Sequence, residues 1–156
     1  MNHCCSTPRE DTIAPSRHRC PVNGLEYSNV PVKTLLHHIR KPWMWNSRVQ
    51  GYYFCDDPEC DVVYFGQDGS QIRKVDLRTL VGVKEDSPDA MVCYCFGVSR
   101  SEALQLPATR EYVIRNTREG LCSCETSNPS GRCCLKDFPA GKSPDSAAGK
   151  KHTRKK

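Results

Sequence analysis

Cysteine placement constrains this chain more than any other feature. There are eleven cysteines in 156 residues, and six of them fall in Cys93-Tyr-Cys95, Cys122-Ser-Cys124 and Cys133-Cys134. So many thiols must be tied up as disulfides or as metal ligands, and the compartment decides between the two. The opening Met1-Asn2-His3-Cys4-Cys5-Ser6-Thr7-Pro8 is polar and has no apolar core for entry to a secretion channel. No run approaches the roughly 18 apolar residues that span a bilayer. The expectation is a soluble, cytoplasmic protein with no membrane insertion. In a reducing cytosol clustered thiols hold metal rather than disulfides, and an odd number of cysteines leaves one without a disulfide partner.

Charge narrows the partners. The formal net charge is +5, and residues 141–156 alone supply it through Lys142, Lys150, Lys151, Arg154, Lys155 and Lys156 against Asp145. The rest of the chain is neutral, so the charge is confined to one segment. Without large apolar residues that segment reads as a disordered basic tail that aids solubility, and nucleic acid is not an expected partner.

The pattern predicts an α+β fold in five stretches. Residues 1–19 read as a flexible leader, 20–85 as a small β-meander, 86–90 as an acidic turn-rich linker, 91–140 as a small helical module and 141–156 as the tail. In the meander, short strands are expected at 30–32, 52–54, 62–65, 70–73 and 80–83, with a short helix at 34–39. Aromatic and β-branched residues dominate 52–54 and 62–65, and Asp68-Gly69 signals a hairpin turn. His37 and His38 are expected on that helix's surface. In the second module Ser99-Arg-Ser-Glu102 fits a capping box, so a helix should start there and stop before Pro107. A second helix is expected over 109–119, with Gly120 as its C-terminal cap.

Structural zinc takes four ligands in a tetrahedron, commonly from close pairs on tight turns. Cys55-Asp-Asp-Pro-Glu-Cys60 is one such turn. Cys20-Pro-Val-Asn23-Gly24 has the outline of a second, but Asn23 stands where its second thiol belongs. The fourth ligand must then come from elsewhere; Cys4, Cys5 and His18 are the local options, with Cys5 favoured. Cys93-Tyr-Cys95 is too tight for an ordinary zinc turn and suits one iron of a cluster, although a second zinc would also fit these cysteines. Two later thiols among Cys122, Cys124, Cys133 and Cys134 would complete an all-thiolate 2Fe-2S centre. No catalytic residues are expected: no Ser/His/Asp arrangement, phosphate-binding loop or dinucleotide fingerprint is evident.

Taken together, Cys20-Pro-Val-Asn-Gly, Phe54-Cys-Asp-Asp-Pro-Glu-Cys60-Asp-Val-Val-Tyr-Phe65, Val83-Lys-Glu85, Val92-Cys-Tyr-Cys-Phe-Gly-Val-Ser-Arg100 and Asn128-Pro-Ser-Gly-Arg-Cys-Cys-Leu135 resemble the N-terminal half of CopZ-type copper chaperones over about residues 20–138. The resemblance implies a small zinc-binding β-domain followed by a domain similar to bacterioferritin-associated ferredoxin. It implies a 2Fe-2S cluster on Cys93, Cys95, Cys124 and Cys134, with Cys122 and Cys133 as alternatives, and Zn2+ on Cys20, Cys55 and Cys60. Completed by Cys5, that set is the expected zinc site. Chaperones of this kind also carry a heavy-metal domain with a Met-x-Cys-x-x-Cys loop, which this sequence lacks. The expected function is electron transfer and metal handling in copper homeostasis, by reduction of Cu(II) to Cu(I). A copper chaperone domain or a copper-exporting ATPase is the expected recipient, with an electron-donor protein supplying the reducing equivalents. The rival expectation is a zinc-only adaptor whose tail meets nucleic acid or an acidic partner.

Overall fold

The computed structural model describes residues 14–139. Five antiparallel strands form one sheet in the order β1-β2-β3-β4-β5: Arg17–Arg19, Glu26–Val30, Tyr52–Phe54, Val62–Gly66 and Gln71–Arg73. Helix α1, Val32–His38, follows β2. Strand β4 is buried along its whole length, as a central strand covered on both faces must be. A register shift between Val62 and Tyr64 breaks its alternation. Val63 and Tyr64 therefore share one core cluster with Leu35, Ile39 and Tyr52, while Val62 and Phe65 join Tyr27, Tyr53 and the thiols of Cys20, Cys55 and Cys60 in another. One face of the sheet packs on α1, and the other carries three cysteines.

The second unit begins with a two-stranded pair, β6 (Met91–Cys93) and β7 (Val98–Ser99). Helices α2 (Arg100–Gln105), α3 (Pro107–Arg118) and α4 (Cys124–Ser127) follow. The capping box at Ser99 and Glu102 forms as expected, and Gly120 takes a positive φ just past α3.

Several expectations need correction. The sheet starts at Arg17, inside the stretch read as leader, because Arg17–Arg19 pairs with residues 26–28 and the Arg17 guanidinium bonds the Glu26 carbonyl oxygen. Residues 80–83 form no strand; Gly82–Lys84 is a 3-10 turn. The acidic stretch 86–90 lies between the two units and is held in place, since Arg100 donates to the Ser87 carbonyl oxygen within it and to those of Gly82 and Glu85 just before it. His38 is buried rather than on the surface, whereas His37 is exposed.

The two units meet at Gly82 and along α1. A Cβ at Gly82 would collide with the Met91 carbonyl oxygen, so only glycine permits that approach. The Tyr94 hydroxyl accepts from the Gly82 N–H at 2.7 Å. On α1, the Thr34 hydroxyl donates to the Glu125 carbonyl oxygen of α4, and the Tyr64 hydroxyl donates to the Pro129 carbonyl oxygen at 2.6 Å. Among the described residues no helix is long and apolar enough to cross a membrane.

Candidate metal centres

Three local structures build the first centre. At Cys20, the N–H donates to the Leu25 carbonyl oxygen and its own carbonyl accepts from Gly24, both at 2.9 Å. Gly24 sits at φ 73°, a conformation that L-residues with side chains avoid, and this folds residues 20–24 into a tight turn. At Cys55, the end of β3 stays in register through the Cys55 N–H to the Val63 carbonyl oxygen. The chain then turns through Asp57, whose carbonyl accepts from the Cys60 N–H at 3.1 Å. The sulfurs of Cys20, Cys55 and Cys60 lie within 4.8 Å of one another, and all three residues are buried.

Three buried thiols crowded this closely are poorly suited to a metal-free state. Burial, followed by the neighbouring cysteines, pushes the Cys60 thiol up to about 11, against the Val62 N–H that lowers it. A soft divalent ion removes that conflict by taking the thiolates directly, and buried sulfur donors at this spacing suit zinc.

Asn23 stands beside this group without its oxygen facing the metal position. Its amide nitrogen donates to the Tyr27 hydroxyl at 2.8 Å and to an Asp57 carboxylate oxygen at 2.9 Å, and lies 3.7 Å from Cys55 Sγ. Its oxygen accepts from the Leu25 N–H. A carboxylate only accepts and an N–H only donates, so both contacts fix the amide's orientation. His18 lies tilted against Tyr53, ring centroids 5.2 Å apart, and is not one of the converging donors. Cys4 and Cys5 lie outside the described residues. Among the described residues the group therefore offers three protein ligands.

Sequence reasoning missed Lys84. It is buried, with Nζ 2.8 Å from the Asp57 carbonyl oxygen, 2.8 Å from the Cys60 carbonyl oxygen and 3.7 Å from Cys55 Sγ. The available signal was its setting, a lone lysine in Leu80-Val-Gly-Val-Lys84.

A second group of thiols gathers where β6 and α4 meet the segment before residue 134. Cys93 and Cys134 are buried in one core cluster with Val98, Val113 and Phe138, and Cys95 Sγ lies 3.6 Å from Cys124 Sγ. The Cys134 thiol lowers Cys93 to about 6, aided by the N–H groups of Phe96 and Cys95, while the same contact raises Cys134. Burial and the facing Cys95 push Cys124 up to about 12. The Ser123 N–H donates to Cys95 Sγ at 3.3 Å. Each pair thus holds one thiol poised to ionise or supported by backbone donors. Cys133 is exposed, and Cys122 is half-buried. Phe96 packs edge-on against Tyr112, centroids 5.5 Å apart, and Tyr94 turns to the sheet unit instead.

A solved structure matches this architecture. The X-ray structure of the Archaeoglobus fulgidus CopZ N-terminal domain superposes with a TM-score of 0.62 at 35% identity, covering 79% of this chain and 100% of that one. This chain belongs to the CopZ family through its N-terminal region. The CopZ family model described as a zinc binding domain matches residues 17–78, which bracket β1 to β5 and contain Cys20, Cys55 and Cys60. The copper chaperone CopZ of Archaeoglobus fulgidus is 36% identical over 119 residues, 74% of this chain. This chain spans 57% of that CopZ's length. The match starting at residue 17 coincides with the observed start of the sheet.

Proposed function

We propose that this CopZ-type chain is a zinc-stabilised, one-electron metal-handling protein of copper homeostasis. In this reading Cys20, Cys55 and Cys60 hold Zn2+, with Cys5 as the fourth ligand, and the ion clips β1–β2 to the β3–β4 turn. Cys93, Cys95, Cys124 and Cys134 hold a 2Fe-2S cluster. The donor set fits such a group: two thiol pairs, one from each side of the site, with N–H groups aimed at Cys93 and Cys95 sulfur. A cluster bound there would supply one-electron exchange, the chemistry that converts Cu(II) to Cu(I).

The chain's own residues do the rest. Half-burial keeps Cys95 and Cys124 near the surface, where an electron-donor protein and a copper-bearing partner can approach, while burial of Cys93 and Cys134 excludes water from the other side. Soft thiolates elsewhere select Cu(I) over Cu(II), so the recipient is a separate copper chaperone domain or a copper-exporting ATPase. The observation that carries this reading is the pairwise convergence of Cys93 with Cys134 and of Cys95 with Cys124.

Anaerobic purification of the full chain, with iron, sulfide and zinc determined per chain, tests it. A brown protein with about two irons, two sulfides and one zinc, whose visible absorption bleaches with dithionite and returns on adding Cu(II), is the expected result. A colourless protein with two zincs and no iron would overturn it in favour of the zinc-only adaptor.

A further inference from the structure

Among the described residues, Lys84 is the one buried side chain of a formally charged residue type. A charge taken out of water is costly unless something nearby compensates it, and no ion pair among the described residues involves Lys84. Its three donor positions are instead matched by one loop: the carbonyl oxygens of Asp57 and Cys60 at 2.8 Å and the Cys55 sulfur at 3.7 Å. Asn23 approaches the same sulfur from another direction at 3.7 Å. An ammonium group so placed is compensated when that sulfur is a thiolate. The thiolates outnumber the charge of a divalent ion, so the centre is net negative, and Lys84 offsets part of that charge.

We propose that Lys84 is a positioning residue of the three-cysteine centre. Its ammonium is the fixed counter-cation of the Cys55 thiolate, and its two carbonyl contacts hold the 55–60 turn so that both sulfurs face Cys20. This rests on the reading that these cysteines hold zinc, and the experiment separates the two claims.

Zinc affinity of the full-length chain is measured by competition with a chromophoric chelator, and the thiolate-to-metal charge-transfer band is recorded after cobalt(II) replaces zinc. Lys84→Met is expected to weaken zinc binding by about 10- to 100-fold, the usual effect of losing an outer partner of a ligand. The cobalt band should move to lower energy, because a sulfur that loses a cation donates charge more readily. Lys84→Arg, which keeps the charge, should hold the band near its wild-type position. Should Lys84→Met fail to fold, Lys84→Gln, which keeps donors but not charge, is judged by the same criteria. Wild-type affinity together with an unmoved band in the neutral variant would overturn the proposal. So would weakened affinity with an unmoved band, which is the mark of a purely structural contact. Cys55→Ser tests the parent reading: if it leaves the zinc content unchanged, the zinc assignment fails regardless of Lys84.

Discussion

His38 sits between two layers, and its chemistry follows from that position. Its Nδ1 pairs with the Thr79 hydroxyl at 2.7 Å, while Nε2 has no hydrogen-bond partner among the described residues. Burial, reinforced by the neighbouring His37, lowers its pKa from 6.5 to about 4. Above pH 6.5 the ring is neutral folded or unfolded, and its contribution to stability is fully present. Between 6.5 and 4 the unfolded chain takes up the proton first, so stability falls with pH, and below 4 the contribution is gone. The shift corresponds to about 3 kcal/mol at most. Urea unfolding at pH 7 and pH 5 should therefore show a larger loss for wild type than for His38→Gln; parallel losses would contradict it. The sequence placed His38 on a surface because helical periodicity shows which residues share a face, not what later packs against that face.

Helix α2 shows how much a local rule can carry. The Ser99 hydroxyl accepts from the Glu102 N–H at 3.3 Å, and the Glu102 carboxylate accepts from the Ser99 N–H at 2.9 Å. Both free N–H groups at the helix start are thereby satisfied. Ser99→Ala should cost about 1 kcal/mol and lower the thermal midpoint, with Ser99→Asp close to wild type; calorimetry on the full chain would show it. The Asp68-Gly69 hairpin and strands at 52–54 and 62–65 were legible for the same reason, since their signals lie within a few residues. The β1 strand was not: Arg17-His-Arg19 has no strand signature, and only its pairing with Glu26, Tyr27 and Ser28 makes it one. Residues 80–83 have strand-like composition, but Gly82 is drawn against Met91 and Tyr94, and that tertiary contact outweighs local propensity.

For the molecule as a whole, the sheet unit anchors the segment that bears Cys124 and Cys134. The segment from α4 to Cys134 is fastened to the first unit by Thr34 to Glu125, Tyr64 to Pro129 and the Lys33–Glu125 ion pair at 2.8 Å. The ion pair is exposed and adds little, whereas the Tyr64 bond is buried. Tyr64→Phe leaves the Pro129 carbonyl oxygen without that donor, at a cost of about 1–3 kcal/mol. Hydrogen exchange across residues 124–131 should accelerate while strands β1 and β2 stay protected; unchanged exchange there would show that the fastening is not needed.

By itself the sequence determined which thiols the chain offers and how they fall along it: Cys20, Cys55 and Cys60 first, and a later group opening with Cys93 and Cys95. Thiol spacing along the chain is local information, and so are turn and capping signals. Only the tertiary structure decided which thiols meet. It set Cys134 against Cys93 and left Cys133 exposed, placed Cys124 against Cys95, aimed the Asn23 amide nitrogen rather than its oxygen at Cys55, and buried Lys84 beside the same sulfur. Those outcomes depend on burial and on contacts between residues far apart in the chain, which no local pattern of residue types encodes.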